Sequence, residues 1–398
     1  MNRSQLADYI SLVLVAMLAI AGIVLLAVCM FAFPENSSRS GDGKTLQLIH
    51  IVMRHGARTP ASTYPNDPYE NETFYPVGWG QLTNEGKLQL YEIGQFLRNR
   101  YGKFLGTLYS PHMYYTQSTG VDRTKASMQM VNAGLWPPVG DQRWGPLAWQ
   151  PVPVNAEPLE QDSLLLVRKP CPQYHIEKLK VMESEEIKNK MKKYETLFEE
   201  LTEITGMNIS NFEDVQDVYT TLIAEKGFNL TLPEWTKNYY PDQLYQPTLE
   251  SYILNTYSDK MNRLRGGVFV KKLLSDWESK ATDTLEIKDM RAYLYGGHDS
   301  TIVNIMRALK IWDIQFPGYG ITILFELSKD KHSGEYGIEV YLRNSTKLPP
   351  FKLTIPGCSS FCPLSKVKYL TQEIIPVDWD EECKTDNPDF VVPTPGGP

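Results

Sequence analysis

Apolar positions follow two patterns along the chain. Short unbroken runs that end in glycine, proline or charged residues read as buried strands, and longer segments with an apolar residue every third or fourth position read as helices. Leu46, Leu48, Ile49, Ile51 and Val52 form the first strand-like run, which closes in Met53-Arg54-His55-Gly56-Ala57-Arg58-Thr59-Pro60. Gly56 and Pro60 punctuate the loop that leaves its carboxyl end. Residues 61–79 hold proline and tyrosine with little periodicity, so a long loop at a pocket rim is expected. Thr83 is placed to cap a helix running to about residue 100, with Leu90, Ile93, Gly94, Leu97 and Tyr101 on one face. Residues 114–118 look like a strand end. They lead through Thr119-Gly120-Val121-Asp122-Arg123-Thr124 into a helix carrying Ala126, Met128, Met130 and Val131.

From residue 151 to 280 the pattern changes. Residues 177–203 are dense in Glu and Lys with Leu, Met, Tyr and Phe interleaved, as in amphipathic helices with solvated faces. Further helices are expected over 215–224 and 249–277, separated by breaks at Pro233 and Pro241. A strand resumes at 290–295 and ends in Gly296-Gly297-His298-Asp299-Ser300-Thr301, after which 301–309 reads as a helix. Residues 320–327 and 339–342 read as late strands, paired around a turn at 330–334. The α/β organisation expected is a core over 46–150 and 281–385, a mainly helical cap inserted at 151–280, and a polar tail at 386–398.

Residues 1–33 stand apart. The run from 10 to 33 is almost wholly apolar, longer than the usual signal-peptide core and about long enough to span a bilayer. It reads either as a cleaved signal peptide or as an uncut signal anchor, followed by a Ser- and Gly-rich linker at 34–45. In both readings the bulk of the chain crosses a membrane. Asn36, Asn71, Asn208, Asn229 and Asn344 each begin an Asn-x-Ser/Thr acceptor site, in keeping with a secretory route. Cys29 lies in the leader, which leaves Cys171, Cys358, Cys362 and Cys383, an even number with three possible pairings. These cysteines lack the paired Cys-x-x-Cys spacing of a zinc site. A net charge of −7 argues against a general nucleic-acid binder, which would carry a basic stripe.

Candidate chemistry concentrates at the strand ends. Arg54, His55 and Arg58 fall within five residues and lift a compact cationic cup off a buried strand. Arginine holds phosphate oxygens in a planar fork, while histidine can be neutral and nucleophilic. The chemistry suggested is attack by an imidazole on a phosphoryl group. An arginine at a helix amino end, as at Arg123, is unfavourable against the macrodipole unless an anion sits there as well; alone it reads as a salt-bridged surface residue. Gly-Gly-His-Asp alone reads as an ordinary strand-to-helix turn. Beside the first loop it gains meaning, because two strand ends of one sheet that each offer a histidine are what a shared phosphate site requires.

The order Arg-His-Gly-x-Arg-x-Pro, joined to the later His298-Asp299, resembles the signature of the histidine phosphatase superfamily, and the chain is similar to its acid phosphatase branch from about residue 46 to 383. The resemblance implies a phosphoglycerate-mutase-like central mixed sheet flanked by helices. It implies His55 as nucleophile, Asp299 as proton donor, and Arg54, Arg58, Arg123 and His298 as phosphate ligands, with no metal or other cofactor. It implies disulfides Cys171–Cys383 and Cys358–Cys362. A third bridge usual in vertebrate members has no counterpart here, so the insertion is expected to be looser. The implied activity is acid hydrolysis of phosphate monoesters through a phosphohistidine. Alternatives are a phytase, an inositol-phosphate, glycan or lysophosphatidic acid phosphatase on the same fold, or a catalytically silent secreted or membrane glycoprotein. Resemblance to dimeric acid phosphatases makes a homodimer a reasonable assembly, with the enzyme lysosomal, extracellular or tethered through its leader.

Overall fold

Strand β1, Lys44–Arg54, shows why the sheet is buried on both sides. Its side chains alternate between two cores. Leu48 and Val52 pack with Phe269, Trp277 and Ile302, while Ile49, Ile51 and Met53 pack with Leu90, Ile93, Met128 and Val131. Burial of these large apolar groups at roughly 1.5–3 kcal/mol each dominates the stabilisation. His50 faces the first core and is fully satisfied there. Its Nε2 lies 2.9 Å from Asp276 Oδ2 and its Nδ1 accepts from Trp277 Nε1 at 3.2 Å, so this histidine is structural.

The computed structural model describes residues 43–345 and 347–394. The leader, Asn36 and Cys29 lie outside the described residues. The remaining strands are β2 (Tyr114–Ser118), β3 (Asn155–Ala156), β4 (Ala292–Gly297), β5 (Thr322–Asp330), β6 (Tyr336–Arg343), β7 (Phe351–Leu353) and β8 (Cys362–Pro363). They form an eight-stranded sheet in the order β3-β2-β4-β1-β5-β6-β7, with β8 also paired to β6. The β3-β2-β4-β1 half is parallel, and β6 runs antiparallel to β5, β7 and β8. The chain thus has the mixed α/β fold, with helices on the sheet, that the sequence led us to expect. Residues 330–334 do make a hairpin turn, closed by the Asp330 N–H donating to Glu335 O at 2.8 Å and by Gly334 at a φ of 75°.

Helix Asn84–Leu105 begins where Thr83 stands, whose hydroxyl accepts from the Gly86 N–H at 3.1 Å. Leu90, Ile93, Gly94, Leu97 and Tyr101 are all buried, as the helical spacing indicates. Eight helices lie between β3 and β4, from Pro172–Glu183 to Gly266–Ala281. Several share a core of their own, built on Phe198, Leu201, Phe212, Val215 and Leu222. One expectation is corrected here: 249–277 is not a continuous helix. Helix Asp242–Leu254 starts earlier and carries Pro247 inside it, Ser258 then caps Asp259–Leu264 through the Met261 N–H at 3.2 Å, and Gly266–Ala281 follows. Cys171 is bonded to Cys383 and Cys358 to Cys362, the pairs implied by the resemblance. No helix among the described residues is long and apolar enough to cross a membrane. Asn71, Asn208, Asn229 and Asn344 are all exposed.

Candidate active site

The three central parallel strands end level with one another. Met53 pairs with Gly296 and Arg54 with Gly297 across β1 and β4, while Ser118 pairs with Gly296 across β2 and β4. Loops from three distant parts of the sequence therefore leave the sheet side by side at its carboxyl edge, where parallel sheets carry their ligands. The close approach needs small residues. A Cβ on Gly297 would sit 2.6 Å from Thr301 Oγ1, and one on Gly56 would sit 2.4 Å from Gly86 O.

His55 lies at the centre and is buried. Its Nδ1 is 2.8 Å from Gly56 O, a contact that calls for the proton on Nδ1 and leaves Nε2 as the free base. Arg123 donates from Nε to that Nε2 at 3.1 Å and from Nη1 to Gly80 O at 3.4 Å. Gly80, the residue just after the 61–79 loop, thus touches the site. The His298 ring stands edge-on to His55 with centroids 5.3 Å apart, and its Nε2 lies 3.0 Å from Thr119 Oγ1. Arg54 pairs through Nη2 with Asp299 Oδ2 at 2.8 Å, and its Nη1 donates to Pro317 O at 2.5 Å. Tyr319 lies under the same guanidinium, 4.6 Å from the ring centroid. Arg58 donates to Thr59 O at 3.0 Å. The Nε atoms of Arg54 and Arg58 are buried without a hydrogen-bond partner, which is costly unless an anion completes them.

The electrostatics follow from this crowding. Burial lowers the pKa of His55 well below 6.5, and Arg123, Arg54, His298 and Arg58 lower it further. His298 is likewise held neutral, by burial first and then by Arg123. Burial and the neighbouring Arg58 bring Arg123 down to about 10, still charged at working pH. For Asp299, burial favours the protonated acid, but Arg54, His298, the Ser300 N–H and Arg58 outweigh it and leave the carboxyl below 3.8. The arrangement can bind a tetrahedral dianion, offer it an unprotonated imidazole nitrogen, and present a carboxyl group beside it.

All six residues singled out from the sequence, Arg54, His55, Arg58, Arg123, His298 and Asp299, converge here. Thr119, Tyr252 and Tyr319 were not anticipated. Tyr252 and Asp299 line one cleft, and burial and then the charge of Asp299 hold the Tyr252 hydroxyl well above 10. None of the three was assigned a role, and only Thr119, which opens the 119–124 segment leading to Arg123, stood in a marked stretch. No group of three or more metal-ligating side chains occurs among the described residues.

Comparison with known proteins agrees with this geometry. A family model described as the histidine phosphatase superfamily (branch 2) matches residues 45–343. The human protein named prostatic acid phosphatase is 36% identical over 356 residues, covering 88% of this chain and 90% of that one. Human lysosomal acid phosphatase is 35% identical over 366 residues, covering 91% and 84%. Among solved structures, the Hafnia alvei phytase in complex with tartrate superposes with a TM-score of 0.64 at 18% identity, over 87% of this chain and all of that one (100%). The Citrobacter braakii phytase does so at 0.64 and 16%, over 85% and 99%. At such identities these two show the fold alone. With its signature loops gathered at one sheet edge and this likeness spanning most of its length, the chain belongs to branch 2 of the histidine phosphatase superfamily.

Proposed function

We propose that the protein is an acid phosphatase that hydrolyses phosphate monoesters through a phosphohistidine on His55. The observation that carries this reading is one contact set: an imidazole kept unprotonated by burial and arginines, its Nε2 3.1 Å from a guanidinium and its Nδ1 tied to Gly56 O. Substrate phosphate takes over the hydrogen bonds of Arg54, Arg58 and Arg123 and releases Nε2 for attack on phosphorus. The Nε2–P bond forms as the ester P–O bond breaks, and protonated Asp299 delivers its proton to the leaving oxygen. Water then attacks the phosphohistidine and gives a proton back to Asp299, the N–P bond breaks, and neutral His55 is restored. The arginines and His298 meet the charge spread over the equatorial oxygens.

The pH dependence follows from the same groups. Lowered pKa values keep His55 and His298 neutral in acid, where an ordinary histidine would be protonated. Asp299 is held down chiefly by Arg54, and a dianion that engages Arg54 weakens that hold, so the proton needed for the leaving group is gained at acid pH. Turnover of p-nitrophenyl phosphate should therefore be highest in acid and fall as Asp299 ionises. His55→Ala is expected to abolish both turnover and acid-labile phosphoryl labelling; labelling that persists would remove His55 as nucleophile. Asp299→Asn should slow alkyl phosphates far more than p-nitrophenyl phosphate, since a good leaving group needs no proton. An equal loss on both would count against Asp299 as the acid.

The helices between β3 and β4 are read as a cap over this site, because Tyr252 from helix Asp242–Leu254 lines one cleft with Asp299. Two disulfides suit an oxidising compartment, and with exposed sequons they support a secretory protein.

A further inference from the structure

The tail beyond helix Trp379–Cys383 comes back to the catalytic side of the molecule. That helix is rooted beside a cleft of about 910 Å³: Lys169 pairs with Asp380 at 2.5 Å, Cys383 is bonded to Cys171, and both Lys169 and Cys171 line the cleft. A turn at 387–390 then redirects the chain, closed by the Asp389 N–H donating to Asn387 Oδ1 at 3.0 Å and the Phe390 N–H donating to Asn387 O at 3.3 Å. From there burial alternates. Phe390 and Val392 are partly buried while Asp389, Val391 and Pro393 are exposed, the period of an extended segment laid with one side on the protein. Val392, Pro393 and Thr394 line the same cleft as Asp299. A stretch expected from the sequence to be polar thus carries an apolar edge into the cleft that the proposed proton donor shares.

The two ends of this segment are attached differently. Its root is fixed by the disulfide, by Trp379 Nε1 donating to Leu264 O at 2.8 Å and by the Arg263–Glu382 pair at 2.6 Å. Among the described residues no hydrogen bond or ion pair fastens 391–394, so this part lies on the cleft by packing and can lift. A leaving oxygen must lie against Asp299 to take its proton, so the rest of the alcohol extends into the cleft. A small alcohol ends short of the tail, and a large one meets it.

Resting on the phosphatase reading above, we propose that residues 390–394 are a strap that sets specificity by closing one side of the leaving-group cleft. Esters of small alcohols are hydrolysed without disturbing it. Esters of bulky alcohols must displace Phe390 and Val392 first, and they lose catalytic efficiency by the cost of that displacement.

The test compares the full chain with one ended after Asp389, by kcat/KM on ethyl phosphate, hexyl phosphate and a short phosphoserine peptide. Each ester releases a primary alcohol and so draws on Asp299, while bulk rises along the series. The shortened chain should match the full one on ethyl phosphate and gain about tenfold on the peptide, with hexyl phosphate between them. Val392→Ser in the full chain should move the peptide value the same way by a smaller factor. A synthetic peptide of residues 388–394, added to the shortened chain, should lower turnover of the phosphoserine peptide again and spare ethyl phosphate. Equal kcat/KM for the two chains on every ester, or a gain as large on ethyl phosphate as on the peptide, would overturn the proposal. If the shortened chain loses ethyl phosphate turnover, and with it its fold, the serine variant decides: an unchanged peptide value there would overturn the strap. No turnover of any ester by the full chain would strike the phosphatase reading and the strap's role with it.

Discussion

Thr119 illustrates how much of the site depends on residues that orient another side chain. Its hydroxyl lies 3.0 Å from His298 Nε2 and 2.6 Å from Thr124 Oγ1, so it sets the rotation of an imidazole proposed to bind phosphate. Thr119→Val keeps the shape and removes that contact. We expect kcat to fall by about tenfold, with a stability loss of about 1 kcal/mol by thermal unfolding, and Thr119→Ser to restore activity. Unchanged kcat in the valine variant would assign the hydroxyl to packing alone. Residues such as His55 and Asp299 were legible because their types and spacing carry chemistry. Thr119, Tyr252 and Tyr319 were not, because a threonine or tyrosine gains a role only from what it faces. His50 shows the converse, a buried histidine five residues from His55 whose two nitrogens are spent on Asp276 and Trp277.

Among elements, the helices that could be read were those with an apolar stripe and a cap, such as Asn84–Leu105. The contact that seats this helix was hidden. A Cβ on Gly86 would lie 2.1 Å from Ala57 O, so the loop bearing His55 and the first helical turn meet backbone to backbone, and a lone glycine in a helix gives no hint of it. The break of 249–277 into separate helices was equally hidden, since Ser258 caps only once the chain turns there. A further element contact controls stability. Glu225, on helix Phe212–Gly227, is fully buried, and neither of its carboxyl oxygens has a hydrogen-bond partner. Burial, and Asp67 from the 61–79 loop, raise its pKa from 4.5 to about 8. Between these values the folded state holds a proton that the unfolded chain releases, so stability drops as pH rises through that window, by on the order of a few kcal/mol. Chemical denaturation midpoints should therefore decline from pH 4.5 to 8 in the unmodified protein and flatten in Glu225→Gln. Parallel slopes in the two proteins would refute the assignment.

For the molecule as a whole, the Cys171–Cys383 bond joins positions 212 residues apart and holds the last short helix, Trp379–Cys383, against the body. Trp379 Nε1 donating to Leu264 O at 2.8 Å and the Arg263–Glu382 pair at 2.6 Å secure the same region. Closing so long a loop restricts the unfolded chain by about 5 kcal/mol in the chain-entropy picture. The double variant Cys171→Ser with Cys383→Ser should unfold at markedly lower temperature while keeping its activity in the cold. A melting temperature within a degree or two of the parent would show that the noncovalent contacts suffice. The overall layout was largely readable from alternating strand and helix patterns. The short strands β3, β7 and β8 were not, because two or three residues carry no period.

The position of β4 between β1 and β2 bears on when the protein becomes competent. Arg54 and Arg58 leave one strand and Arg123 another, and those two strands have no backbone bond in common. Only a ribbon from the last third of the polypeptide, wedged between them, brings the two halves of the cationic cup into register. A growing chain that already carries both arginine loops thus lacks the spacer that aligns them, and the anion trap closes late, together with the arrival of His298 and Asp299.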